Sequence, residues 1–593
     1  MSPRPHLLLR APTPSQLSLT FCEATPRDLK RWIATLPKAN LGETARLLYQ
    51  GLGELNQLLT PSDNRLQLLE LLRPEVYFVC KHLERHFLNQ SIVLDERSRK
   101  VANLCQALQN HLAIGYKQIV LRISATATKD RVTKERATLL ATAAQRALHC
   151  LNGPVLRASL LYCPVPDGVW LELHQLYQAA LAHQLQNLSI NDPLIPPGRS
   201  STVQQSYAAS LLLGSSRCNQ MRQQAILRLA EVLDAWSPLV RVQPASLASS
   251  LFAIAPGEDS GPRYKTLYGD DQLPHLIGLD PSDLVQAIKA YLDLPVEQRA
   301  QSHLIPSNFS IDLLQHVAAA WGDVAERTFT RTPGQGNLSL CIGMSALHYY
   351  IGGERSFSEI LKRPGPSQSA QFVPGAATQS WSRPTEGDRH GDYEEIQYDL
   401  PRGDGSSAGS ASNHDQHFPT YALQIVNHSP GGYCLAWPKE VPPQLQAGEM
   451  VGIQDTQAQG WSVAVVRWIR QVRSGGTQMG IELVAPHAQP CGLQLVRVSE
   501  QNSQFLRGLL LPEIRAIDIP ASLLAPRMPF QEGNKVIINN QGEEQPAGLG
   551  TRMAGTGSFN QFEYHLLEVA KPVSTGAEDG APEEDFASLW KDL

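Results

Sequence analysis

No uninterrupted apolar run of roughly 18 residues occurs in the chain, so no spanning helix is expected. Met1–Thr20 lacks the apolar core and small-residue cleavage site of an export signal; Leu7-Leu8-Leu9 is closed off by Arg10. A cytoplasmic location is therefore expected. An excess of positive charge is missing as well: 51 basic side chains face 56 acidic ones, for a net charge of −5. That balance argues against a general binder of nucleic-acid polymers, which need a basic field. Any anionic ligand must be held by a few local arginines. The nine cysteines are odd in number, scattered and never in a CxxC pair. This disfavours a disulfide framework and a zinc site, and predicts buried thiols. Enzyme signatures are absent too: there is no P-loop, H-E-x-x-H, G-x-S-x-G or complete G-x-G-x-x-G. No catalytic residue, metal or cofactor is expected. A binding or scaffold protein is favoured over an enzyme with an unrecognised site in residues 26–240.

What is present suffices for large cores. Of 593 residues, 42% are hydrophobic and only 18% charged, which excludes global disorder. At roughly 100–200 residues per domain, the length predicts about three to five domains. After an extended lead-in (1–25), residues 26–240 carry helical periodicity. Ala45, Leu48, Leu52, Leu55 and Leu59 mark one helix face. Further helices are expected over Arg65–Leu72, stopped by Pro74, and over Glu75–Phe87, Glu96–Ile114, Lys134–Cys150, Val169–His183, Thr202–Leu213 and Gln220–Trp236. Trp170, Leu173, His174 and Tyr177 have the spacing of a tetratricopeptide first helix. Without a following partner helix, an ordinary amphipathic helix is the preferred reading.

Residues 241–325 are mixed, with a possible strand at Ser250–Ala255 and helices at Asp283–Leu292 and Ile311–Val324. Gly336–Ile351 reads as a strand run. The Ser/Gly-rich stretch 362–416 has too few aliphatics to offset its ordering entropy and is expected to be disordered. From 417 to 500 the period becomes two, in short β-branched runs separated by turn residues, as in an antiparallel barrel. A second small β unit is expected over 501–573, including Ala516–Ile519. The acidic tail 574–593 places Phe586, Leu589, Trp590 and Leu593 on one helical face, fit for a partner groove. The fold class is thus multidomain α + β, with an all-helical N-terminal half and C-terminal antiparallel β units.

Two short motifs carry the chemistry. The first is Arg327-Thr328-Phe329-Thr330-Arg331, an R-x-x-x-R ahead of the strand Asn337–Ile342. The second is Asn427-His428-Ser429-Pro430-Gly431-Gly432, an N-x-S-x-x-G between two strands. With Gly448-Glu449, Val465-Val466-Arg467-Trp468 and Met479-Gly480-Ile481-Glu482-Leu483 downstream, these residues resemble the PilZ domain family, cyclic-di-GMP receptors built on a six-stranded barrel.

The chemistry of the motifs fits such a ligand, which carries two phosphates and two guanines. A guanidinium fork can chelate a phosphate or pair with guanine O6 and N7. Asn427 offers a carbonyl acceptor for guanine N–H groups, Ser429 a small hydroxyl, and Gly432 a bend without a Cβ. Arg327, Arg331, Asn427, Ser429 and Gly432 are the expected site. The wide separation of the two motifs implies an insertion after the first strand, tolerable because closure costs only about 0.6 kcal/mol per doubling of loop length. A second R-x-x-x-R, Arg27–Arg31, precedes a helix and reads as a solvated basic face. Arg467 and Arg470 either line the site or are exposed strand arginines.

The resemblance implies a bacterial signalling protein whose helical half binds a protein partner. Its organisation is similar to that of large pseudomonad receptors tied to type IV pilus assembly, implying a surface-attachment role and recruitment to the cell pole. The alternative is a structural adaptor whose barrel has lost nucleotide binding.

Overall fold

The computed structural model describes residues 7–126, 133–194, 200–299, 301–306, 309–322, 330–362, 418–438, 440–455, 460–473, 475–497, 503–513 and 520–567. Arg327, the strand expected at Ala516–Ile519, the acidic tail and all but Lys362 of the proposed insertion lie outside them. The structure is multidomain α + β: a helical half followed by two antiparallel β-barrels.

The helical half contains α1 (Pro26–Ala34), α2 (Leu41–Gln57), α3 (Ser62–Leu83), α4 (Glu96–Thr126), α5 (Lys134–Leu160), α6 (Val169–Ala182), α7 (Val203–Ser215) and α8 (Gln223–Trp236). Side-chain caps start several of them. Thr25 accepts from the Asp28 N–H, and Thr202 forms a reciprocal capping box with Gln205. The expected stop at Pro74 fails: α3 runs straight through it, and α5 likewise runs through Pro154. An internal proline costs about 3 kcal/mol. Each fully buried aliphatic side chain returns roughly 1.5–3 kcal/mol. Leu72, Val76 and Val79 beside Pro74, and Leu151 and Val155 beside Pro154, are all buried, so packing outweighs the lost hydrogen bond.

A buried ion network ties the helices together. Arg73, 1% exposed, pairs with Asp192 at 2.6 Å and with Glu70 at 3.1 Å; Arg146 pairs with the same two acids. After α6 the chain forms a short antiparallel pair, β1 (Ile190–Asn191) with β2 (Ser200–Ser201), and not a second repeat helix. The tetratricopeptide spacing therefore belongs to an ordinary helix.

A small antiparallel sheet follows: β3 (Arg241–Pro244), β4 (Phe252–Ile254), β5 (Arg263–Tyr264) and β6 (Ile277–Asp280), in the order β3-β6-β4-β5. Helices α9 (Ser282–Asp293), α10 (Val296–Arg299) and α11 (Ile311–Gly322) come next.

The first barrel is built from β7 (Thr332–Pro333), β8 (Asn337–Ile342), β9 (Tyr421–Ser429), β10 (Gly432–Trp437), β11 (Met450–Gln454), β12 (Ser462–Gln471) and β13 (Thr477–Ala485). Strands β8, β9, β10, β13, β12 and β11 close in a ring, and β7 adds to the edge of β9. Between β8 and β9 come α12 (Gly343–Ile351) and α13 (Phe357–Ile360). The strand run expected over Gly336–Ile351 is thus half strand and half helix. Ala346, Leu347 and Tyr350 recur at helical spacing and are buried against the barrel and its neighbour. Leu340 of β8 pairs directly with Tyr421 of β9, so the long excursion between them leaves and rejoins the barrel at adjacent points.

The second barrel is closed, in the order β14-β15-β16-β19-β18-β17. Its strands are β14 (Gln489–Leu495), β15 (Leu506–Leu511), β16 (Ser522–Pro526), β17 (Lys535–Asn540), β18 (Glu543–Gly555) and β19 (Phe559–Leu566). It begins at Gln489 and not at the expected 501, because β14 pairs with β15 and β17 and with no strand of the first barrel.

The core of the helical half continues without a break into the first barrel, through Leu338, Leu340, Leu423, Val466 and Ile481. All nine cysteines are free, and all but Cys22 and Cys163 are buried. Among the described residues, no helix is long and apolar enough to cross a membrane.

Candidate functional site

Strand β9 ends at Ser429, turns through Pro430-Gly431, and returns as β10, with Gly432 opposite Ser429 and Cys434 opposite Asn427. The outer strand β7 pairs Thr332 with His428 and Pro333 with Asn427. That pairing delivers Arg331 to the hairpin. On the far side β10 pairs with β13, placing Gly432 opposite Glu482 and Cys434 opposite Gly480. Trp468 of β12 lies across Gly480, whose missing side chain leaves room for the indole; a Cβ there would sit 2.0 Å from Trp468 Nε1. The β12–β13 register shifts between Val466 and Trp468, so Arg467 is the extra residue of a bulge, a device that re-aims a side chain.

These elements enclose a cleft of about 720 Å³. Its walls include Arg331, Asn427, Ser429, Gly431, Gly432, Arg467, Trp468 and Glu482. The volume falls within the usual range for small-molecule sites. Arg331, close to Asn427 only in space, is exposed and makes no ion pair or hydrogen bond among the described residues. The side chains of Asn427 and Ser429 likewise have no hydrogen-bond partner there. Arg467 Nε pairs with Glu482 Oε2 at 2.6 Å. Arg470 instead bonds Gln478 and stands 5.2 Å over the Trp468 ring. Burial pushes the Cys434 thiol up, while the nearby Arg470 and Arg331 guanidiniums pull it down, so Arg331 directs its field at this hairpin.

Of the sequence-predicted residues, Arg331, Asn427, Ser429 and Gly432 thus come together in one cleft. The second R-x-x-x-R lies elsewhere: Arg31 sits on α1, exposed, and pairs with Asp28. The sequence reading missed Glu482 as a wall residue, although its place in β13 was visible. It also missed Gln220, which reaches the cleft from the helical half and carries no local signature. Among the described residues, no group of His, Cys, Asp and Glu is arranged to hold a metal. A larger cavity of about 850 Å³ lies beside the starts of α3 and α5, where neither motif reaches.

A model of the middle PilZ domain of the cyclic-di-GMP receptor FimW matches residues 251–490. Models of the FimW N-terminal domain and of its C-terminal β-barrel domain match residues 27–246 and 491–567. A curated Pseudomonas aeruginosa protein, described as cyclic-di-GMP receptor FimW, is 55% identical over 608 residues, covering 99% of each chain. The chain belongs to the FimW family. The resemblance to PilZ domains read from the strand order and motifs is therefore shown. The FimW middle-domain match begins within the small sheet, ahead of the barrel, and the C-terminal match begins inside β14. No solved structure matches the chain.

Proposed function

We propose that the chain is a receptor for cyclic di-GMP, bound in the cleft between β7, the β9–β10 hairpin and β12–β13. The observation that carries this reading is the meeting of Arg331 with Asn427, Ser429 and Gly432 across a long excursion of chain. Arg331 supplies a guanidinium fork for phosphate or for guanine O6 and N7. Arg327, four residues earlier in the motif, supplies the second fork. Asn427 accepts from guanine N–H groups and Ser429 donates to a ligand oxygen. Gly432 keeps the floor low. The protein binds without turning its ligand over, and needs no metal or cofactor.

Binding engages Arg327 and Arg331 together with the hairpin and biases the position of the helical half. That half then recruits a protein partner, coupling the second messenger to type IV pilus assembly and surface attachment in the cytoplasm at the cell pole. The likeness to FimW over the whole length supports the receptor assignment. Isothermal titration of the full chain with cyclic di-GMP tests it: micromolar or tighter binding is expected.

A structural adaptor with a silent barrel remains the second reading. It is favoured by one observation: Glu482 puts a carboxylate on the wall of a cleft meant for an anion. A flat titration trace decides for the adaptor.

A further inference from the structure

The barrel does not build its cleft alone. Gln220, from the far end of the helical half, forms part of the wall. It ends the 3-10 turn Cys218–Gln220, which packs against β12. The turn is held rigidly. Arg217 enters it at φ 53°, and Cys218 is buried. The Gln220 N–H donates to the Arg217 carbonyl at 2.9 Å, and the Met221 N–H to the Cys218 carbonyl at 3.0 Å.

Both domains then fasten the next two residues. Met221 is buried, and its carbonyl accepts from the Tyr162 hydroxyl at 2.8 Å. Arg222 Nε donates to the Ala447 carbonyl at 3.1 Å, and its guanidinium pairs with Glu449 at 3.3 Å, both on the barrel. From the barrel side, Gln471 ends the strand that carries Arg467 and Trp468. Its N–H donates to the Tyr162 carbonyl at 2.7 Å, and its amide to the carbonyls of Ile92 and Leu161, both at 2.9 Å. Tyr162 therefore joins the turn that presents Gln220 to the strand that carries Arg467 and Trp468. The Gln220 side chain itself is exposed and has no hydrogen-bond partner among the described residues. The backbone that carries this amide is fixed, and the amide itself is unused by the fold and open to a ligand.

We propose that Gln220 is a ligand-contacting residue of the cyclic-di-GMP cleft, so that the bound nucleotide bridges the helical half and the barrel. This rests on the reading of the cleft as a cyclic-di-GMP site. The amide carries both donors and an acceptor, as does a guanine edge. Because the contact comes from the helical half, occupancy of the cleft is felt there directly and not only through the barrel.

The test is calorimetric titration of the full-length protein with cyclic di-GMP for wild type, Gln220→Ala and Gln220→Glu. Loss of one neutral hydrogen bond predicts binding about threefold to tenfold weaker for Gln220→Ala. Gln220→Glu is expected to bind weaker still, because it adds a like charge beside the ligand phosphates. Unligated melting temperatures should match wild type, since the side chain is exposed. Hydrogen exchange should show residues 218–222 protected by ligand in wild type and less so in either variant at equal ligand concentration. Tight wild-type binding with unchanged affinity in both variants overturns this inference and leaves the receptor reading standing. A flat wild-type trace overturns both.

Discussion

Gly432 lies so close to Ile481 across the β10–β13 ladder that a Cβ on it would stand 2.0 Å from the Ile481 carbonyl oxygen. Both partners are backbone, so neither can swing aside. Gly432→Ala is expected to destabilise the protein by about 1–3 kcal/mol, the usual penalty of overpacking. It should also weaken ligand binding, by spreading the hairpin that carries Asn427 and Ser429. Urea denaturation and titration read the two effects; an unchanged midpoint contradicts the close approach.

The Arg467–Glu482 pair offers a gain of function. Both side chains are 51% exposed, so the pair contributes little to folding, about 0–1 kcal/mol. The Glu482 carboxylate nevertheless lines the cleft, opposes an anionic ligand and occupies Arg467. Glu482→Gln should therefore bind cyclic di-GMP a few-fold more tightly with an unchanged melting temperature. Weaker binding of this variant means that Glu482 accepts from the ligand instead of repelling it.

His348 gives the protein a pH dependence of known sign. It sits on α12, buried, and its Nε2–H donates to the Cys491 carbonyl of the second barrel at 3.1 Å. Burial lowers its pKa to about 4, with Arg507 adding to the effect and the Cys491 bond opposing it. The unfolded chain then binds more protons than the folded one between the ordinary imidazole value, about 6.5, and 4. This contribution to stability is complete above that ordinary value and is lost as pH falls towards 4. Denaturation midpoints should drop between pH 7 and pH 5, and His348→Gln should flatten that drop.

In the helical half, Arg73→Ala leaves Asp192 and Glu70 short of a buried partner and should cost about 3–5 kcal/mol. Burial alone would raise the Asp192 carboxyl, but bonds from Arg73 and the Leu194 N–H hold it below its usual value. Such a depressed acid stabilises the fold above its unfolded pKa, near 3.9, and loses that contribution as pH falls further. Acid unfolding monitored by circular dichroism should shift to higher pH in Asp192→Asn. An unshifted curve contradicts the ionised network.

Much of this was legible in the sequence, for local reasons. The period-two runs marked the barrel strands because half-buried strands must alternate. The Asn427–Gly432 hairpin showed itself because turn residues report on backbone geometry. Pro74 misled for the opposite reason: tertiary packing overrides a local preference that the sequence displays plainly. Gly336–Ile351 misled because a short apolar run does not distinguish a strand from a buried helix. Gln220 was invisible, since nothing near it in the chain reports that β12 folds against its turn. Arg331 was legible as chemistry, but only the Thr332–His428 register brings it to Asn427.

The central claim is that Arg331 grips the ligand of this cleft. Calorimetric titration of wild type against Arg331→Ala tests it most directly. A charge-assisted contact is worth roughly 1.5–3 kcal/mol, so the variant should bind cyclic di-GMP about tenfold or more weakly. Its melting temperature should not change, because the side chain is exposed. Equal affinity in the two proteins would contradict the account.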